Sequence, residues 1–270
     1  MTLTTVGPEA QGHYRATHVA RAEVAKIVSL RSTAIVLGLS VVASLLVTAL
    51  VTHSQLGHRP GYYNGFDPTA DALTGMIVVA LICGVFGALL ITNEYSSGTM
   101  RSTLAATPKR PFVLATKTAV TAVLALGICE VLSFVCFFLG QAVLSGGGAP
   151  SASLASSGAA RAVLMTGAFV ALLTLMAFGF GFLFRSTAAA IAAFVGVVFV
   201  LPLIMHGISQ AVVPYLPTNM LVNSIMDTVR NAPPGAPNAP LSPTVGLLLM
   251  VLYAAIPLAA GAVAFVKRDA

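Results

Sequence analysis

The chain has 270 residues, of which 57% are hydrophobic and 8% charged, with a mean hydropathy of +0.92 and a net charge of +6. A soluble domain needs a surface that is about a quarter to a third charged, so this composition excludes one and points to a membrane protein. The charges are also unevenly placed, which leaves uncharged runs long enough to cross a bilayer.

Residues 1–14 read as a disordered cytoplasmic N-terminus. From 15 to 31 the pattern becomes amphipathic. Val19, Ala22, Ile27 and Leu30 lie roughly on one helical side, Arg21 and Lys26 lie away from it, and Glu23 is near its edge. That suits a helix lying on the inner membrane face, although a cytoplasmic extension of the first span fits the same periodicity. The apolar run starts too late for a typical cleavable signal peptide, so the first span is expected to remain in the mature protein.

Residues 32–52 would make a helix of about 31 Å at about 1.5 Å per residue, which matches a hydrocarbon core of about 30 Å. Comparable runs cover 72–93, 118–144, 162–184, 186–208 and 244–266, giving an all-α polytopic transmembrane domain over 32–266 with a tail at 267–270. The 118–144 run carries one charge, Glu130. Residues 53–71 are rich in Gly, Pro, Asn and Tyr and read as an outer loop of turns. Gly146-Gly147-Gly148 marks a flexible second outer loop. Phe184-Arg185-Ser186 allows only a tight hairpin between the fourth and fifth spans, with Arg185 at the headgroups.

Leu201-Pro202 is expected to break the fifth span. The Pro-rich stretch that follows suggests broken helices at the outer leaflet, with Asn223, Asp227 and Arg230 facing out. Pro257 predicts a kink in the sixth span. Small residues at four-residue spacing (Ala80, Gly84 and Ala88; Ala177 and Gly181; Ala192 and Gly196) suit close helix packing in lipid.

Eleven of the fourteen Lys and Arg residues fall on one side if both termini are inside: Arg15, Arg21, Lys26, Arg31, Arg101, Lys109, Arg110, Lys117, Arg185, Lys267 and Arg268. Arg59, Arg161 and Arg230 remain outside. This positive-inside bias requires an even number of spans and places both termini in the cytoplasm. The same charge explains attraction to lipid. It does not read as nucleic-acid binding, since no basic patch is interleaved with exposed aromatics.

Little here resembles enzyme chemistry. Gly-Lys never occurs, so the P-loop pattern is absent and ATP binding of that kind is not expected in this chain. The five histidines show no metal-ligand spacing, and G-x-S-x-G is missing. Cys83, Cys129 and Cys136 all lie in apolar runs without a C-x-x-C spacing, which argues for packing and against a disulfide framework. Glu130 stands out, because a carboxylate near the centre of a span costs about 2.5–3.5 kcal/mol on insertion scales. With Ser133 and Gln141 on nearby turns it would line a substrate path, or else make a structural hydrogen bond across the bundle.

Between the second and third spans lies a charged segment with Met100 and Leu104 on one helical face and Glu94 and Arg101 left polar. Pro108 ends that helix. A basic inner loop that merely fixes topology would have a similar composition. The order Glu94-Tyr95-x-x-Gly98-Thr99-x-Arg101-x-x-Leu104, followed by Pro108-x-Arg110 and Lys117, resembles the sequence after helix two in type-2 ABC transporter permeases. The resemblance extends to the amphipathic start, the six spans and the broken outer re-entry. It departs at Pro108-Lys109-Arg110-Pro111, where a second proline shortens the elbow.

The resemblance implies a coupling helix in which Glu94, Tyr95, Gly98, Thr99, Arg101 and Leu104 dock on a separate ABC ATP-binding subunit. That partner would carry ATP and Mg, and this chain would hold no cofactor and no catalytic residue. A second permease copy, or a related permease, would complete an export path across the bacterial cytoplasmic membrane. Two alternatives remain open from the residues: a proton-coupled secondary transporter using Glu130, and a non-transporting membrane anchor or immunity protein.

Overall fold

The computed structural model describes residues 16–29, 31–58, 60–63, 66–106, 109–226 and 241–267. The N-terminal 1–14 segment, Pro108, Asp227 and Arg230 lie outside the described residues. Every regular element among the described residues is helical. Apolar on all sides, the long runs have no alternative to the helix for satisfying backbone groups in lipid.

A first helix, α1 (Ala16–Ser29), is followed by α2 (Arg31–Ser54). The next span is built from α3 (Pro68–Leu73) and α4 (Gly75–Ser96), joined at Thr74. A short α5 (Thr99–Ala106) leads into α6 (Arg110–Gly146), α7 (Ala159–Phe184) and α8 (Thr187–Val195). After a π-helical turn, Gly196–Val200, come α9 (Leu201–Ile208), α10 (Pro217–Ile225) and α11 (Pro243–Lys267). Six of these units are long and apolar enough to cross a membrane: α2, α3–α4, α6, α7, α8–α9 and α11. The chain is an all-α polytopic membrane protein.

α7 is the central post. Its most apolar window is 67% buried within the protein, against 17–50% for the other five spans. α4, α6 and α11 pack along it, and α2 closes over α4 and α6. Small residues permit this. Gly84 on α4 faces the ring of Phe194, which occupies the space a Cβ would need. Gly196, in contrast, has open space where a Cβ would go, so the small pair on the fifth span is not spent on packing within the chain.

Three boundaries differ from the sequence expectation. The second span starts at Pro68, because Asp67 accepts hydrogen bonds from the amides of Thr69 and Ala70 (3.0 and 2.9 Å) and proline occupies the first helical position. The third span starts at Arg110, and its 37 residues extend about 55 Å, well beyond the hydrocarbon core. Pro202 does not break the fifth span. It lacks the N–H that would bond the carbonyl of Val198 four residues back; a π-helical turn absorbs the mismatch, and the hydroxyl of Thr218 donates to that carbonyl instead. Beyond Ile208 the chain does break into short pieces, a 3-10 turn at Val213–Tyr215 and then α10. Asn223 there is half-buried.

Candidate functional site

At one end of the bundle the start of α6, the ends of α4, α7 and α11, and both short helices α1 and α5 converge. The local sequence dictates the turn from α4 into α5. Ser97 closes α4 through its amide to Asn93 O (3.0 Å), and Gly98 follows at φ +74°. That left-handed conformation is cheap only for glycine. Thr99 then begins α5, and its carbonyl receives the hydroxyls of Ser102 and Thr103, 2.9 Å each.

One face of α5 is anchored. Met100 is fully buried among Ile91, Phe178, Phe182 and Phe265, and Leu104 packs against the same cluster one turn on. The opposite face, comprising Gly98, Thr99, Arg101, Ser102 and Ala105, is exposed. So the amphipathic split read from Met100 and Leu104 is present, and Arg101 stands on the outward side.

Glu94 lies away from the exposed face of α5. Its side chain is buried, and Oε1 accepts from both Lys26 Nζ on α1 and Lys117 Nζ on α6, at 2.7 Å each. Lys117 also donates to both carboxylate oxygens of Glu23 on α1, again at 2.7 Å. The result is an alternating chain, Lys26–Glu94–Lys117–Glu23, with two charges of each sign. Lys117 is 3% exposed. A lone ammonium at that depth would cost several kcal/mol, on the order of the desolvation penalty of a single buried ion, and two flanking carboxylates offset it. The chain clamps α1 and α6 to the last turn of α4, immediately before α5.

Glu23 is the buried centre of α1; of the expected apolar side, Val19 and Ile27 are half-buried and Ala22 is exposed. The ion pairs to α4 and α6 fix which side of α1 faces the bundle. Tyr95 also turns inward, with the Arg185 guanidinium 5.1 Å from its ring centroid. Arg185, at φ 53° in the α7–α8 turn, is thus held against the end of α4 and not merely at the headgroups. Arg110 reaches across to the carbonyls of Phe265 and Val266 (3.4 Å each) and caps the end of α11, a favourable place for a cation.

Of the three residues proposed for a substrate path, Glu130 and Ser133 lie one turn apart against α7, and Gln141 lies apart from them. Ser133 is fully buried and donates to Val163 O at 2.7 Å. Gln141 fastens two loop ends, donating to Pro68 O (2.9 Å) and accepting from the amide of Ala152 (2.7 Å). Both side chains spend their hydrogen bonds inside the fold. Glu130 packs against Gly167 on α7, where a Cβ would lie 2.6 Å from the Glu130 carboxyl carbon. Its Oε2 is buried with no hydrogen-bond partner.

Cys83, Cys129 and Cys136 are free and buried. No group of three or more His, Cys, Asp or Glu side chains assembles as a metal site among the described residues.

The sequence reading missed Lys26 and Lys117 as partners of Glu94, and Glu23 as the second partner of Lys117. The available signal was a glutamate bordering the apolar side of an amphipathic helix, with a lysine one turn later. No known family model matches the sequence, and no curated protein matches it. What the fold defines is the class: a six-span helical membrane protein with an exposed short helix, α5, at the end of the bundle that holds the ion chain.

Proposed function

We propose that this chain is the permease subunit of an ATP-driven exporter of the type-2 ABC class. Two copies, or this chain and a related permease, enclose the substrate path in the bacterial cytoplasmic membrane, with both termini inside. ATP and Mg belong to separate ATP-binding subunits, and this chain performs no covalent chemistry.

The observation that carries the reading is the mounting of α5. An exposed polar face sits on a helix whose other face is locked into the ends of α4, α7 and α11 by Met100. The buried ion chain ties the adjacent turn to α1 and α6. A push on Arg101 or Ser102 is therefore passed to the spans, because no flexible linker lies on the α4 side to absorb it. An ordinary topology-fixing loop has no use for such rigidity.

The test is purification of the tagged protein from its native membrane under mild conditions, followed by mass spectrometry. A stoichiometric subunit bearing a P-loop is expected. Arg101→Glu should release it, while Glu130→Gln should retain it. Reproducible recovery without such a subunit, even after crosslinking, contradicts the proposal.

A second reading rests on Glu130, whose buried Oε2 has no partner in the middle of α6. A secondary transporter would load a proton there. Transport that collapses with an uncoupler but survives ATP depletion would favour it.

A further inference from the structure

α6 and α11 both lie along α7 but barely touch each other. α11 is drawn onto α7 by two glycines. A Cβ at Gly179 would lie 2.6 Å from the Leu258 nitrogen, and one at Gly261 would lie 2.8 Å from the Phe182 Cβ. α6 holds to another side of α7 through the bond from Ser133 to Val163. Between them, over the half nearest α5, a lateral groove of about 710 Å³ opens. Its walls are apolar, with Ala115, Ala119 and Ala122 on α6 and Ala259 and Ala262 on α11 set among leucine and valine. Alanine at these positions leaves the gap unfilled where leucine would have closed it.

Two features identify the occupant. The first is depth. From Pro111 at the mouth to Ala122 the groove follows α6 for about 16 Å at about 1.5 Å per residue, about half of what a helix needs to cross a core of about 30 Å. A spanning helix from a second copy would call for a trough along the whole length of α6. The second feature is charge. Lys267 lines the mouth, Lys109 is exposed beside Pro111, and the Arg110 guanidinium reaches over the end of α11. Among the described residues no acidic side chain lines the groove.

We propose that this groove is a binding site for an anionic phospholipid. The acyl chains occupy the apolar slot and the phosphate meets Lys109 and Lys267. Which leaflet supplies the lipid rests on the orientation given under the exporter reading; the site itself does not.

The chain contains no tryptophan, so a single Val263→Trp in the groove wall supplies the sole indole emitter. Ile35→Trp on α2, at a position 68% exposed and away from the groove, is the reference. Each variant is reconstituted in vesicles containing brominated phosphatidylglycerol or brominated phosphatidylcholine, and quenching is compared. In the Val263→Trp variant, groove occupancy should favour the anionic lipid on the order of five-fold, the effect of about one basic residue at an anionic surface. The preference should vanish with Lys109→Gln and Lys267→Gln together, and the Ile35→Trp variant should show none.

Equal quenching by both lipids at the groove would make this ordinary boundary lipid and overturn the proposal. Weak quenching by either lipid would overturn it too, because protein would then cover the groove. The assay contains this chain alone, so its failure is distinct from failure to find an ATP-binding partner.

Discussion

Two carboxylates are set into the apolar helices of this protein, and their surroundings are opposite. Glu94, at the end of α4, shares Oε1 between two lysines from different helices, while its Oε2 is, like that of Glu130, buried without a partner. Glu130, in the middle of α6, lies against the backbone of Gly167 with Oε2 unpartnered. The first arrangement binds three elements into one unit. The second joins no ion pair among the described residues. Burial alone therefore says little about a charge; the partners decide whether it acts as a clamp or a vulnerability.

The sharpest way to break this contrast is Lys117→Met. It removes the ammonium between Glu23 and Glu94 and leaves two buried carboxylates facing each other. A loss of about 3–5 kcal/mol is expected, read as a lower thermal midpoint in detergent. Adding Glu23→Gln and Glu94→Gln should recover part of it. No loss in the single variant would mean that the ion chain is not formed.

Gly167→Ala tests the other carboxylate. The new Cβ would fall 2.9 Å from the Glu130 Cα, so helices must separate, at a cost of about 1–3 kcal/mol. Unchanged stability would place Glu130 away from α7. Arg185→Gln should cost about 1 kcal/mol through loss of the contact with Tyr95, and increased protease sensitivity of the α7–α8 turn should accompany it. The smallest effect is expected for Glu130→Gln, within about 1 kcal/mol by thermal unfolding, since the carboxylate Oε2 has no hydrogen bond to lose. A large destabilisation there would reveal a partner and erase the contrast.

The spans were legible because bilayer thickness imposes a length, and uncharged runs of that length are hard to mistake. Their ends were harder. The Asp67-Pro68 cap begins a helix inside a stretch otherwise rich in turn residues, and the overhang of α6 carries charges, Arg110 and Lys117, that resemble loop. Pro202 misled for a different reason. Its missing hydrogen bond is made good by Thr218, sixteen residues later, through a contact that no local pattern announces.

At the candidate site the split of α5 followed from helical spacing. The inward turn of Glu94 did not, because it depends on two lysines from α1 and α6 brought together only by packing. Arg101 and Ser102 are thus the residues with which to test docking, whereas substituting Glu94 would disturb fold and docking at once.

The most direct measurement is site-specific photocrosslinking from α5 in native membranes. A photoreactive residue replaces Ser102, exposed on the outward face, and a control probe replaces Ser145 at the opposite end of α6. The account predicts that the probe at 102 captures a P-loop ATP-binding subunit and that the probe at 145 does not. Capture of such a subunit equally from both positions, or none at 102 while the subunit still co-purifies, would contradict the assignment of α5 as the coupling helix.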